Sequence, residues 1–353
     1  MVGNLKVVSP APRRVWRELL ASDAEANIYQ TPAWIDAICA AGGYQDSSRL
    51  YVTASGEQLV LPMVRRTGMP QVLTVEESLP AAWGTGGLVA TSTVRSEDIM
   101  AVWRDLLTQR AAGIRIRPES LRAAAWDAAR APSSVRVERP IKDVIDLDGG
   151  FESVWAERFQ GKARTAVRKA ERAGLVVEWG SSDRFVREYY NLYRGWTSRR
   201  AGEHGLPKSL MLRRAEPLRK YQAVVEKLGA ASRIWIARLD EEPIAAIITL
   251  IHGLYANYWR ACSNKELSGP VCANNLLQRF AIEYSCKAGC RYYNMGWSPT
   301  ASVAAFKRSF GALPRQFPVY TFDRLPLTQM EDFRSGLARS AKRFLKNCRA
   351  KVG

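Results

Sequence analysis

Histidine is scarce in these 353 residues, with only His204 and His252 present. Neither sits in a setting that suits a catalytic base: His204 falls in a stretch expected to be a loop between helices, and His252 precedes Gly253 in a strand-to-strand turn. The six cysteines (Cys39, Cys262, Cys272, Cys286, Cys290, Cys348) include no CxxC pair, and Gly289 breaks the helix between Cys286 and Cys290. A zinc site is therefore not expected, and free thiols in a reducing compartment are. No stretch approaches the ~18 consecutive apolar residues of a membrane span, and the opening MVGNLKVVSPAPRRVWREL has no apolar signal core, so a cytoplasmic protein is expected. Also missing are GxSxG, a Walker loop and a GxGxxG after a strand, which removes serine-hydrolase, P-loop and dinucleotide-binding readings.

Acidic residues are short in one half only. Residues 1–150 hold 17 Lys+Arg and 17 Asp+Glu, whereas 151–353 hold 35 and 17, so the second half carries the whole net charge of +18. Part of the excess forms a stripe on an amphipathic helix read as roughly 151–173: Arg164, Arg168 and Arg172 at i, i+4, i+8, with Lys162 and Lys169 beside them. A second stripe, Arg339, Lys342, Arg343, Lys346 and Arg349, lies beyond the last acid, Asp332. One charge run is usually a solvated face. Two stripes in one half favour a phosphate-rich partner, whose counterions such a surface releases.

The element order repeats. Residues 50–64 read strand, Ser55-Gly56 turn, strand, and 234–250 read the same around Asp240-Glu241-Glu242-Pro243. A helix near 95–110 corresponds to one at 274–287, and each is followed by a glycine and a strand. Residues 113–147 and 289–325 both read strand, turn, helix, strand, and Ala125-Trp126-Asp127 stands where Ala305-Phe306-Lys307 does. The chain is thus expected to be two copies of one mixed α/β (α+β) unit, divided as 1–150 and 151–353, with the first copy structural.

In the second copy, Ser302 is expected to cap a helix over 303–310 that Gly311 ends. At about 100° per residue, Val303, Phe306 and Phe310 share a face, and Lys307 lies about 40° from Val303 while Arg308 points away. A lysine flanking the packed face is either a site residue or a side chain snorkelling from a core edge. The strand LYANYWRAC alternates, placing Tyr258 and Arg260 on one face and Tyr255, Asn257 and Trp259 on the other. One face is core and the other lines a cleft, so Tyr258, Trp259 and Arg260, with Asn294 on the strand CRYYNM, are the cleft candidates.

The order of helix, hairpin, long strand LYANYWRAC, helix ANNLLQRFAIEYSCKAG, strand CRYYNM, helix with Phe-Lys and strand FPVYTF resembles one domain of the GNAT superfamily. The tandem arrangement, with GKARTAVRKAERAGL opening the second copy and AAFKRSFGA near its end, resembles the Fem family of aminoacyltransferases over about 29–322. That resemblance implies two tandem GNAT-like domains, each a mixed, mostly antiparallel sheet flanked by helices. It also implies transfer of an amino acid from aminoacyl-tRNA to an amine of a peptide or small molecule, in cell-wall or antibiotic biosynthesis. Phe306 and Lys307 would be the family's functional pair, aminoacyl-tRNA a co-substrate with no further cofactor, and the two basic stripes its binding surface. The stretch YQTPAWIDAICAAGG keeps the family's Gln30 and Trp34, but no lysine comes after them, which leaves a nucleotide-linked acceptor without support. The rival class on the same fold is an acyl-CoA-dependent N-acyltransferase. Its phosphate loop would occupy CSNKELSGPVCANN, where Glu266, Val271 and Pro270 break the Q/R-x-x-G-x-G/A pattern that lets backbone N–H groups close on phosphate. A silent nucleic-acid binder would explain the stripes but not Lys307.

Overall fold

The computed structural model describes residues 5–91, 94–204 and 207–325. The expected hairpins form: Arg49–Val52 pairs with Gln58–Leu61 across Gly56, and Ser232–Leu239 with Glu242–His252 across Asp240 and Glu241. Residues Ile244 to Leu250 are buried without interruption, because this strand lies inside its sheet with both faces covered. Its sheet runs Val176–Gly180, Ser232–Leu239, Glu242–His252, Tyr255–Ser263, Tyr292–Trp297, Ile141–Asp146, Leu313–Gln316. The first half carries a sheet of order Tyr44–Asp46, Val64–Arg66, Val75–Ser78, Gly113–Ile116, Val319–Asp323, Arg136–Glu138, and a four-stranded sheet built on the Arg49–Leu61 hairpin.

The two copies exchange a strand. Ile141–Asp146, from the first half, lies between Tyr292–Trp297 and Leu313–Gln316 of the second, and Val319–Asp323 lies between Gly113–Ile116 and Arg136–Glu138 of the first. The division at residue 150 therefore does not match the sheets: strand 141–146 belongs to the second sheet and strand 319–323 to the first. Each inserted strand lies next to an edge, so the outermost strand of each sheet, Leu313–Gln316 or Arg136–Glu138, is joined to the rest only through the other copy.

One apolar core also joins the halves. Trp16, Trp34 and Trp83 pack with Tyr189, Tyr221 and Trp259, the Trp34 ring lying 5.4 Å from Trp83 and 5.5 Å from Trp259. Beside them Glu216 accepts from Arg260, Lys220 and Tyr221, and the Lys220 ammonium sits 4.3 Å over Trp83. Flanked by two cations, the Glu216 carboxyl is held down at about 2, and burial draws Lys220 down to about 8. Gln30 and Trp34 serve this packing: Gln30 donates to the Gly87 and Leu88 carbonyls, and Trp34 to that of Trp83.

Several local expectations shift. The helix read over 151–173 is broken: Gly150–Ser153 runs into a π-turn at Val154–Arg158, the chain extends at Phe159 and Gln160, and a new helix covers Gly161–Arg172. His204, expected in a loop, falls at the end of the 22-residue helix Asp183–His204. Two short helices, Lys208–Arg213 and Leu218–Leu228, follow it. No helix among the described residues is long and apolar enough to cross a membrane.

Candidate active site

The site arises where two strands part. Tyr255–Ser263 and Tyr292–Trp297 pair in parallel through only three residues, ending at Asn257 and Asn294, and then diverge. Past the fork a cleft of about 350 Å³ opens, lined by Tyr258, Ala261 and Ser263 of one strand, Asn274 of the next helix, Trp196, and Ser302, Val303, Phe306 and Lys307.

The helix bearing Lys307 is Ala301–Arg308, and Thr300, not Ser302, caps it by accepting from the Val303 N–H at 3.3 Å. Its far end is locked by close approach. Gly311 has φ +84°, and a Cβ there would sit 2.7 Å from the Arg158 carbonyl oxygen. Phe310 packs edge-on against Phe159 at 5.0 Å and Phe306 at 5.1 Å, and Gln160 N–H donates to the Ser309 carbonyl. Lys307 is thereby set inward at 3 % exposure, while Arg308 remains exposed.

The Lys307 ammonium donates to the carbonyls of Gly296 (2.9 Å) and Trp297 (2.8 Å), where the diverging strand ends. Burial draws its pKa down to about 8, against the upward pull of Asp143. It is still mostly cationic at pH 7. Tyr258 across the cleft is pushed well above the usual phenol range by burial, so it stays a neutral hydroxyl. Asp143 lies on the inserted strand opposite Gly296, accepts from the Ser298 hydroxyl with one oxygen, and leaves the other buried without a partner. A fixed cation at a fork, a phenol and an apolar wall can orient an acyl donor and stabilise oxyanion charge.

Of the cleft candidates, Tyr258 joins Phe306 and Lys307, but Trp259 and Arg260 do not line the cleft. Tyr258 pairs with Thr249 and Arg260 with Ile248, so Trp259 is a bulge residue that breaks the alternation and turns Arg260 away from the cleft, toward Glu216. Trp259 packs in the core shared by the copies. Asn294 sits at the fork apex, donating to Asn257 and accepting from Gly296 N–H, and does not line the cleft. Sequence reasoning missed Asp143 and Ser298.

In the basic stripe, Lys162, Arg168, Lys169 and Arg172 are exposed. Arg164 is not free: it donates to the carbonyls of Trp155, Ala156 and Phe159, closing the π-turn. Arg339, Lys342, Arg343 and Lys346 lie outside the described residues. Larger hollows exist elsewhere, such as one of about 510 Å³ against Asp23, Arg122 and Trp126, but there Arg122 is tied to Asp23. We place the site at the smaller cleft because only there, among the described residues, does a buried cation face open space at a strand fork.

The fold superposes on the crystal structure of FemX with a TM-score of 0.69 at 13 % identity, over 92 % of this chain and 99 % of that one. The fold is that of a tandem GNAT protein. Within it, residues 157–308 match the family described as acetyltransferase (GNAT) domain. Similar folds occur in L-PGS from Bacillus licheniformis (TM-score 0.55, 13 % identity, 92 % of this chain and 97 % of that one). Another is a tandem GNAT protein of the clavulanic acid biosynthesis pathway, solved without AcCoA (TM-score 0.51, 13 % identity, 92 % and 99 %). No curated protein matches the sequence. At 13 % identity these likenesses establish the tandem GNAT fold, with the matched domain in its second copy.

Proposed function

We propose that this tandem GNAT protein is an aminoacyltransferase that moves an amino acid from aminoacyl-tRNA to an amine on a peptide or small molecule. The observation that carries the reading is the state of the loop where an acyl-CoA enzyme would cradle pyrophosphate. There Glu266 N–H is spent on the Asn264 side chain, Ser268 N–H on the Asn264 carbonyl, Gly269 N–H on Lys265 and Cys272 N–H on Gly269, and Pro270 has none. With four of its N–H groups consumed internally and a proline among the rest, this loop has fewer donors to offer a pyrophosphate. The exposed cations Lys162, Arg168, Lys169 and Arg172 suit the phosphates of tRNA instead.

In the reaction the acceptor nitrogen attacks the ester carbonyl carbon of the aminoacyl-tRNA. A C–N bond forms, the C–O bond to ribose breaks, and the ribose hydroxyl leaves with the proton that the amine loses. The ester is already activated, so the protein supplies positioning and charge stabilisation, the first from the Phe306 wall and the second from Lys307. A histidine base is not required, because substrate groups or water can relay the proton. On this reading the acceptor belongs to cell-wall or secondary-metabolite chemistry.

The acyl-CoA reading retains support from the acetyltransferase domain match and from Asn274, which brings the start of helix Ala273–Lys287 to the cleft. One assay separates the two. Labelled amino acids, charged tRNA and a pool of amine acceptors are incubated with the protein, with and without ribonuclease, and acetyl-CoA is tested in parallel. Loss of product on ribonuclease treatment, with no acetyl transfer, is expected. Acetyl transfer that survives ribonuclease replaces this reading with the acyl-CoA one.

A further inference from the structure

The strand that completes the second sheet comes from the first copy, and it brings a carboxylate to the Lys307 side. The register shift between Asp143 and Val144 falls on the partner strand, where Met295 is the extra residue, so alternation along Ile141–Asp146 continues and puts Asp143 and Ile145 on one face and Lys142 and Val144 on the other. Ile145 packs in the same core as Phe310, while Lys142 is held by Glu119 of the first half. Asp143 is thus on the Lys307 side, at 1 % exposure, in register with the Gly296 whose carbonyl receives one Lys307 N–H.

We propose that Asp143 is a positioning residue for the reaction, orienting the Lys307 ammonium and balancing its charge from behind. This rests on the reading of Lys307 as the charge-stabilising group. A buried carboxylate with an unpartnered oxygen is costly unless a cation faces it. Lys142, its neighbour in sequence, points the other way and is already paired. Tyr258, across the cleft, is neutral. Lys307 has no ion-pair partner among the described residues, so Asp143 acts across a gap rather than by direct contact. With two N–H groups committed to the Gly296 and Trp297 carbonyls, the ammonium has one left for the cleft. The Ser298 hydroxyl fixes the carboxylate plane through its other oxygen. The second copy thus takes the counter-ion of its key cation from the first, which gives the strand exchange a chemical consequence.

The test tracks Lys307 itself in the full chain, by NMR titration of labelled lysine side chains assigned with Lys307→Arg, together with kcat and KM against pH. Asp143→Asn removes the anion, which disfavours the cation. The Lys307 midpoint and the alkaline limb of kcat should both move down by about one pH unit. Below that limb kcat should fall about tenfold with KM unchanged, as when a preorganised donor loses its aim. Ser298→Ala keeps the carboxylate and should leave the midpoint in place. An unmoved midpoint in Asp143→Asn overturns the proposal, even with Lys307→Ala inactive and the role of Lys307 intact. A midpoint that moves while Lys307→Ala retains full activity preserves the coupling and removes the catalytic reading of Lys307, and the positioning role of Asp143 falls with it. Should Asp143→Asn not fold, Asp143→Glu carries the test, because its longer reach must shift the midpoint, and an unshifted one overturns the proposal.

Discussion

The two copies differ most where their folds agree most, at the fork between the two parallel strands. In the second copy the strands part after Asn257 and Asn294, and the space beyond is the Lys307 cleft. In the first, Val75–Ser78 and Gly113–Ile116 pair through four residues, and the chain then returns to close the gap. Gly86 N–H donates to the Arg117 carbonyl at 2.7 Å, Arg117 N–H donates to Ser78, and the Arg117 guanidinium holds the Leu79 carbonyl. The next helix is alike in both, with an aromatic residue packed inward: Trp126 against Trp103 and Tyr320, and Phe306 against Phe310. The residue after the aromatic is not alike, for Lys307 is buried toward open space and Asp127 is 39 % exposed and paired with Arg139. One unit can therefore be a site or a scaffold, and the choice lies in whether backbone fills the fork and which charge faces it.

The largest effect expected from this contrast comes from removing the cation. Lys307→Ala should lower kcat by about 10²- to 10³-fold, the range for losing one preorganised electrostatic donor. The melting temperature should fall, since the Gly296 and Trp297 carbonyls lose their donor and Asp143 the cation on its side, so kcat is compared on the folded fraction. A variant that turns over at nearly the wild-type rate would make the two forks equivalent in chemistry. The wild-type pH profile is a second check. Lys307 must be protonated to stabilise an oxyanion, and burial lowers its pKa to about 8, so kcat should fall tenfold per unit above that pH, while the acceptor amine, which attacks only as the free base, sets the acid limb.

Much of this contrast was legible in the sequence, and its geometry was not. Hairpins, the helix carrying Lys307 and the repeat were readable because each rests on local signals: turn residues at Gly56 and Asp240, a glycine stop at Gly311, a matched element order. The strand exchange has no local signal, since Ile141–Asp146 reads as an ordinary strand and only tertiary pairing decides its sheet. For that reason Asp143 could not be placed beside Lys307. A single bulge at Trp259 shifted the periodicity that had put Arg260 with Tyr258. Arg164 fits the helical spacing of the stripe, yet a π-turn just before it leaves carbonyls that its guanidinium satisfies.

The filled fork can be probed directly. A Cβ on Gly86 would meet Ser78 Oγ at 2.5 Å and its carbonyl oxygen at 3.2 Å, so Gly86→Ala must displace the returning chain. A loss of about 1–3 kcal/mol in chemical denaturation is expected, as for other overpacked sites. The activity of the folded fraction should be retained, because the first fork does no chemistry. A stable Gly86→Ala would mean that the closure is loose and that the two forks differ less than their hydrogen bonds imply.

The charge asymmetry between the copies is sharpened by salt. Replacing Arg168 and Arg172 with Ala should make log K for tRNA against log salt shallower by about two units and raise KM, with kcat unchanged. Arg164→Ala should behave otherwise. It should destabilise the fold by about 1–3 kcal/mol through the unsatisfied carbonyls and change the salt slope least. If all three substitutions shift the slope alike, Arg164 is part of the phosphate surface after all. If none does, tRNA does not lie on this helix.

The smallest effect belongs to the residue that stands in the place of Lys307. Asp127→Ala removes one exposed carboxylate and its pairing with Arg139, which is itself 46 % exposed. Water screens such a pair and long side chains lose entropy in holding it, so its loss should change stability by no more than about 0.5–1 kcal/mol. Turnover should be unchanged at every pH, because the carboxylate faces solvent beside a closed fork. Asp127→Lys is the sharper variant: it restores the sequence of the active copy without opening the space. If Asp127→Lys rescues any activity in a Lys307→Ala background, the residue alone makes the site. If it does not, the site requires the open fork, as the bond from Gly86 to Arg117 implies.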